Sequence, residues 1–351
     1  MKRTITAAIA LCLLMSALVA GCGKKPGSAG EVNVYNWGGP YMDEEIFKDF
    51  EKSTGIKVNY SEFQTNEEMY ALLRMGGTNM DVIFPSDYMV SRLIEEGMLE
   101  ELDFGNIPNY SLIDPAYKDT AYDPSGKYSV AYMTGTVCLI YNSSMIHDEI
   151  TSWSALFDAN YTGQILMFRN SRDAFGIALK YLGYSQNTTS EAEIREAYDL
   201  LTAQKPLLQA YVMDQIYDKM EAGEAAIGPY YAGDYLSMRE NNEDLVYVMP
   251  EEGSNWFIDA MCIPKGAQNK KNAELFINFI CSTDVAIANM DVTCYASANS
   301  EAARKYGEDM DPEDYEIMFA SDSIRENCDI FTHLPGETLA LYDQLWGQLM
   351  R

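Results

Sequence analysis

The chain has 351 residues, room for two domains at roughly 100 to 200 residues each. Its 53 Asp and Glu against 25 Lys and Arg give a formal charge of −28, which excludes a nucleic-acid binder, because that function needs clustered cations to displace counterions. A hydrophobic fraction of 47% with 13 Phe, 4 Trp and 25 Tyr excludes charge-driven disorder and leaves a folded, anionic protein.

Lys2 and Arg3 precede an unbroken run of apolar and small residues from Ile5 to Ala20, the charged start and apolar middle of a secretory signal peptide. Leu18-Val19-Ala20-Gly21-Cys22 follows, and it resembles the lipobox of bacterial lipoproteins, which implies that the Cys22 thiol takes a diacylglyceryl group and becomes the new N-terminus. Residues 1–21 are then excluded from the fold. The mature chain keeps 23 basic and 53 acidic residues, a formal charge of −30, and residues 22–30 read as the lipidated Cys and a flexible Gly, Lys, Ser and Pro tether. No later stretch approaches the ~18 consecutive apolar residues of a membrane helix, so the expected membrane contact is the lipid alone.

Val32-Asn33-Val34 alternates as a short strand, and Ile46, Phe47 and Phe50 repeat at helical spacing until Thr54-Gly55. Ile56 to Tyr60 reads as a second strand, Asn66 as the cap of a helix presenting Met69, Leu72 and Leu73, and Asp81 to Phe84 as a buried third strand. This β-α-β-α-β order predicts a mostly parallel sheet covered by helices, with ligands beyond the carboxyl ends of the strands. Asn36 to Tyr41 and Ser86 to Tyr88 should therefore line a cleft. Further along, Val137 to Tyr141, Ile165 to Phe168, Glu224 to Tyr231 and Leu245 to Met249 read as strands. Asn255 to Ile263 is again apolar. Trp153 to Phe157, Ala174 to Leu182 and Ala273 to Ile280 read as helices, and the whole predicts two α/β domains with more than one crossover.

Enzyme signatures are missing: no G-x-S-x-G, no G-x-x-x-x-G-K-[ST], no G-x-G-x-x-G after the first strand and no H-E-x-x-H. No catalytic residue, cofactor or metal is assigned. Cys138, Cys262, Cys281, Cys294 and Cys328 show neither zinc-ligand nor disulfide spacing and read mostly as small core residues, and His147 and His333 are isolated. Aromatic and acidic residues do gather at the predicted loop ends: Trp37 and Tyr41, Ser86 and Tyr88, Asp173, Tyr231 and Asp234, Trp256, Phe257 and Asp259, and Tyr295. Ring faces attract a cation and carboxylates accept its N–H groups, so together they can box an organic cation; taken singly, each ring is better read as a core residue and each acid as a solvated surface charge.

Tyr35-Asn36-Trp37, Thr54-Gly55-Ile56-Lys57-Val58, Val82-Ile83-Phe84-Pro85-Ser86, Glu252-Gly253 with Phe257-Ile258-Asp259, and Cys294-Tyr295-Ala296-Ser297-Ala298-Asn299 occur in the order seen in bacterial spermidine/putrescine substrate-binding proteins. The chain resembles that family from about Glu31 to Gln348. The resemblance implies an α/β, two-lobed periplasmic-binding-protein-like fold of type II-like form, with the ligand in the inter-lobe cleft. Its lobes would be 31–135 with 258–303, and 136–257 with 304–351. It implies an extracytoplasmic lipoprotein of a polyamine ABC importer that delivers putrescine or spermidine to permease and ATPase subunits. Trp37, Tyr41, Ser86, Tyr88, Asp173, Tyr231, Phe257, Asp259 and Tyr295 fall on the family's ligand-contact positions, and Asp234 resembles the putrescine-receptor version of the family. The chain departs from the pattern at Gly38-Gly39 with an extra residue, at Asn170 where spermidine receptors often carry Asp, at Tyr231 and Phe257 in place of Trp, and at Thr332 in place of Gln; these bear on which amine fits. The alternatives are a lipid-anchored hydrolase whose acids do acid–base work and a receptor on the same fold for a sugar or a cationic vitamin.

Overall fold

The computed structural model of the protein describes residues 30–76 and 79–351, so Cys22, the signal peptide and nearly all of the tether lie outside the described residues. The first third alternates as its periodicities require: β1 (Glu31–Trp37), α1 (Glu45–Thr54), β2 (Lys57–Phe63), α2 (Asn66–Met75), β3 (Val82–Ile83) and α3 (Asp87–Glu95). β1 pairs in parallel with both β2 and β3, as crossover helices dictate. α1 buries Ile46 and Phe50 and stops where Gly55 takes φ 74°, a left-handed turn that releases the chain into β2. The cap of α2 is Thr65, one residue before the expected Asn66: its Oγ1 accepts from the Glu68 amide (3.1 Å), which leaves the Asn66 side chain free to turn inward.

The middle of the chain supplies β4 (Ser129–Asn142), β5 (Ile165–Phe168), α4 (Ser171–Tyr181), α5 (Glu191–Gln204), β6 (Leu208–Val212), α6 (Gln215–Glu221), β7 (Ile227–Tyr231), α7 (Ala232–Arg239), β8 (Leu245–Val248) and β9 (Ser254–Cys262). Trp153 to Phe157 forms a 3-10 turn in place of the expected helix. Five residues between the Ser152 cap and Asp158 are too few for α-helical turns, and the segment is pinned by the buried Trp153 indole donating to the Gly253 carbonyl (2.9 Å).

The last stretch adds α8 (Lys270–Ile280), α9 (Thr283–Thr293), β10 (Ala296–Ser297), α10 (Ser300–Gly307), α11 (Pro312–Phe319), α12 (Asp322–Glu326), β11 (Cys328–Asp329) and α13 (Gly336–Leu349). Strands run in the order β2-β1-β3-β9-β4-β7-β5-β6. β4 links the two halves of this order. Its residues from Ser129 to Thr136 pair antiparallel with β9, and those from Val137 onward pair with β7 and β8. β3, at the middle of the first half, meets β9, and β5, in the second half, is parallel to β6 and β7. Each half buries its own apolar strands, among them Val32, Val34 and Ile83 in the first and Leu139, Leu166 and Phe168 in the second. Two α/β lobes therefore flank a long shared strand. Cys138, Cys262 and Cys281 are buried, Cys294 and Cys328 are half-buried, and all five thiols are free. Among the described residues no single helix is long and apolar enough to cross a membrane.

Candidate functional site

The carboxyl ends of β1 and β3 and the starts of α2, α3, α4 and α7 converge with β9 on one cavity of about 90 Å³. Trp37, Tyr41, Ser86, Tyr88, Asp173, Tyr231, Asp234, Phe257, Asp259 and Tyr295 all line it. Asn36 does not: it is fully buried behind Trp37 on β1, whose alternation turns neighbouring side chains to opposite faces. Trp256 is turned away by the same alternation on β9, and its ring lies 5.6 Å from the Arg325 guanidinium. At the departure point 332 the adjacent Phe331, not Thr332, reaches the cavity.

Asp259 is placed by the sheet. Ser86 bridges Asp259 in antiparallel fashion, the Ala260 amide donates to Pro85 O (3.0 Å), and the Ile258 amide donates to the buried Asp87 carboxylate (3.2 Å). Tyr41 donates to Asp259 Oδ2 (2.6 Å), while Oδ1 is buried without a partner. Burial lifts the Asp259 carboxyl to about 7 from an ordinary 3.8; the Ser86 and Tyr41 hydroxyls pull it down, and the charge of Asp173 pushes it up. Asp87, buried in the same wall, rises to about 8 by desolvation, against the pull of the backbone amides it accepts from.

Asp234, on α7, takes phenol hydrogen bonds on both oxygens, from Tyr217 (2.6 Å) and Tyr295 (2.5 Å), and burial raises it to about 6. Tyr295 follows α9 in the first half of the molecule and Asp234 sits in the second, so this bond crosses the cleft. Asp173 accepts from Tyr231 (2.9 Å) and from Asn170 (2.6 Å), whose own Oδ1 caps α4 by accepting the Asp173 amide (2.9 Å). Its carboxyl is also raised by burial, with those two hydrogen bonds and the Arg172 charge acting against the rise. Tyr88 donates to Glu67 (3.0 Å), and Asn66 Nδ2 reaches both Ser86 Oγ and the Tyr88 hydroxyl (3.1 Å each).

The rings close the box. Tyr231 meets Phe257 edge-on at 5.5 Å, Phe257 lies 5.9 Å from Tyr295, and Tyr295 stands edge-on to Tyr41 at 5.2 Å. Tyr295 and Phe257 come this close to β4 because residue 135 is Gly, where a Cβ would fall 2.8 to 2.9 Å from both rings. Six carboxylates line the cavity, those of Glu67, Asp87, Asp173, Asp214, Asp234 and Asp259, against one basic side chain, Arg172. Buried carboxylates cost folding free energy unless paired, so this wall is built to receive positive charge, with π-faces against the ligand's body. Glu67, Arg172, Asp214, Tyr217, Tyr230 and Phe331 escape sequence reasoning, while Asp87 belongs to the segment Ser86 to Tyr88 that was expected to line the cleft. Glu67 and Arg172 adjoin residues already singled out, which is the one signal that could have found them; Tyr217 and Tyr230 are hidden among 25 tyrosines.

A two-lobed α/β molecule with a ligand box at the strand ends between its lobes is the architecture of a solute receptor. Residues 45–320 match the family of bacterial extracellular solute-binding proteins, and the chain belongs to that family. It is 35% identical over 306 residues to the spermidine/putrescine-binding periplasmic protein of Salmonella typhimurium, covering 87% of this chain and 86% of that one. A Listeria monocytogenes protein solved under a provisional spermidine/putrescine ABC transporter name superposes with TM-score 0.85 at 36% identity, over 91% of this chain and 98% of that one. The Tp0655 (TpPotD) lipoprotein of Treponema pallidum superposes with TM-score 0.81 at 27% identity, over 92% of this chain and all of that one.

Proposed function

We propose that the protein is the extracytoplasmic receptor of a polyamine ABC importer, binding putrescine or spermidine between its lobes and delivering it to the permease. The observation that carries this is the pairing state of Asp259: a buried carboxylate with one oxygen unpartnered, facing a cavity walled by Tyr and Phe rings and by Asp87, Asp173 and Asp234. An ammonium supplies the missing partner, and a methylene chain lies against the rings. The names of the relatives at 35 to 36% identity support the same ligand class. On this reading the site residues are the ten that sequence analysis singled out, joined by Glu67 and Tyr217, and the protein is not an enzyme. The lobes are 31–135 with 258–303 and 136–257 with 304–351.

A micromolar ligand needs about −8 kcal/mol. Two or three charge-assisted hydrogen bonds at ~1.5 to 3 kcal/mol each and several cation–π contacts at ~0.5 to 2 kcal/mol reach that after association costs. A thermal-shift screen of the mature domain against polyamines, amino acids, sugars and metals tests the class, since a ligand of the native state raises its stability by mass action. Polyamines should give the largest shift; a larger shift with a sugar or an amino acid contradicts the reading. The anchor is part of the proposal: Cys22→Ala should release the protein from membranes, and a variant that still pellets after high-salt washing would refute the lipid attachment.

A further inference from the structure

Arg172 is the single basic side chain on the cavity wall among the described residues. It is 4% exposed, and its surroundings are unusual for a buried charge. Nη2 donates to Asn187 Oδ1 (3.2 Å) and to the Thr332 carbonyl (3.4 Å). Neither Nε nor Nη1, nor the Tyr342 hydroxyl behind them, meets a partner in hydrogen-bonding geometry. Rings hold the guanidinium in their place: Phe331 at 4.3 Å, Tyr88 at 5.5 Å and Tyr342 at 5.7 Å from centroid to Cζ. Tyr342 belongs to α13 and Phe331 to the segment leading into it, so the protein is solid behind the charge. The cation is a fixed wall, unlike a surface arginine that can swing aside.

Arg172, Glu67 and Asp173 line the same cavity: Tyr88, whose ring lies 5.5 Å from the guanidinium, donates to Glu67 (3.0 Å), Asp173 is the next residue in the chain, and the Arg172 charge acts on both acids against the rise that burial causes. Part of the anionic field that would hold an ammonium is therefore already spent on a side chain. A second ammonium placed past Asp173 would meet a like charge that cannot move away, in a site with little water to screen it.

We propose that Arg172 is a specificity-determining residue: its guanidinium occupies the place a further ammonium would take beyond Asp173, and so limits the length of the amine the cleft accepts. This inference rests on the polyamine reading and adds to it a stop at one end of the site. Short amines are accepted; a tetra-amine is turned away by repulsion at its far ammonium. A guanidinium whose Nε and Nη1 lack partners could instead attract a carboxylate, but Glu67, Asp87 and Asp173 line the same cavity and oppose an anion, and rings cover it.

The test is calorimetric titration of the mature protein and of Arg172→Gln, Arg172→Met and Arg172→Lys with putrescine, spermidine, spermine and 4-aminobutyrate, each variant melted to establish its fold. The wild type should bind spermine at least tenfold more weakly than spermidine. The neutral variants should bring spermine at least tenfold closer to putrescine, and Arg172→Lys, which keeps the charge, should hold the wild-type ratio. Met fits the ring cage, so packing is retained where charge is lost. A wild type that binds spermine as tightly as putrescine overturns the proposal whatever the variants do. Equal losses for every chain length in the neutral variants also overturn it, leaving Arg172 a packing residue, as does 4-aminobutyrate binding more tightly than putrescine and depending on Arg172. Failure of all amines to bind the wild type overturns the polyamine reading together with the stop; amine binding with unchanged ratios removes the stop alone.

Discussion

Asp259 concentrates the logic of the site in one side chain. Its Oδ2 accepts from Tyr41, the Ser86 hydroxyl also pulls its pKa down, and Oδ1 has no partner in hydrogen-bonding geometry, so the carboxylate is oriented and has room for a further donor. Converting it to Asn should cost ~2 to 5 kcal/mol of amine binding, roughly thirtyfold or more in Kd, by analogy with truncated buried charge pairs. The empty protein should not suffer, because the change removes a buried charge; calorimetry and melting of Asp259→Asn separate the two effects, and less than a threefold loss of affinity would remove Asp259 from the site. The raised carboxyls also set a pH dependence. Asp259 at about 7 and Asp234 at about 6 hold protons in the folded state that they lack in the unfolded chain above an ordinary 3.8. Between those values the native state binds more protons, so these two groups make the empty protein less stable as pH rises from about 4 to about 7. An ammonium favours the ionised carboxylate, so binding below about pH 7 must expel protons. Amine affinity should fall by about tenfold per pH unit for each carboxyl that has to ionise, and the melting shift caused by putrescine should grow from pH 5 to pH 7.5. A shift independent of pH would mean that neither carboxylate meets the ligand.

At the scale of elements, each site residue is delivered by an ordinary device. Asn170 caps α4 through its Oδ1 and holds Asp173 with its Nδ2, so a single residue starts the helix and orients an acid. Asn170→Asp should keep the cap, since both residues serve there equally well, but it replaces a donor to Asp173 with a like charge. The empty variant should melt lower at neutral pH, and the gain in affinity should be larger for spermidine than for putrescine; parallel titrations of both amines check it, and an unchanged ratio would show that position 170 does not read the triamine. Much of this level was legible beforehand. The alternation at Val32 to Val34, the spacing of Ile46, Phe47 and Phe50, and the stop at Gly55 gave the opening elements, since strand and helix periods are local properties. Trp153 to Phe157 was not, because five residues carry too little period to tell a 3-10 turn from a helix. The Thr65 cap was displaced by one residue because two adjacent polar side chains compete for the same amide. Arg172 and Glu67 had only their adjacency to Asp173 and Asn66 as a signal: their roles depend on which chain segments meet across the cleft, and no local pattern encodes that.

The molecule as a whole is two α/β bodies joined through β4 and β9, with bonds such as Tyr295 to Asp234 crossing between them. Such crossings are short side-chain contacts, while the strands that join the halves are continuous, so opening needs only the contacts to part. Without ligand, the buried carboxylates favour separation and rehydration; with a diamine between them they favour closure. Small-angle scattering should therefore show a smaller radius of gyration with saturating putrescine than without, and an equal radius would indicate a cavity that forms without closure. The formal charge of −28 on the chain adds a long-range attraction for polycations, which high salt should weaken mainly through the association rate. The most direct measurement of the central claim is a calorimetric titration of residues 30–351 with putrescine and with spermidine at pH 7.5. The account predicts saturable one-to-one binding in the micromolar range or tighter for at least one of them, with competition between the two. No heat and no saturation with either amine, in a protein whose melting shows it folded, would contradict it.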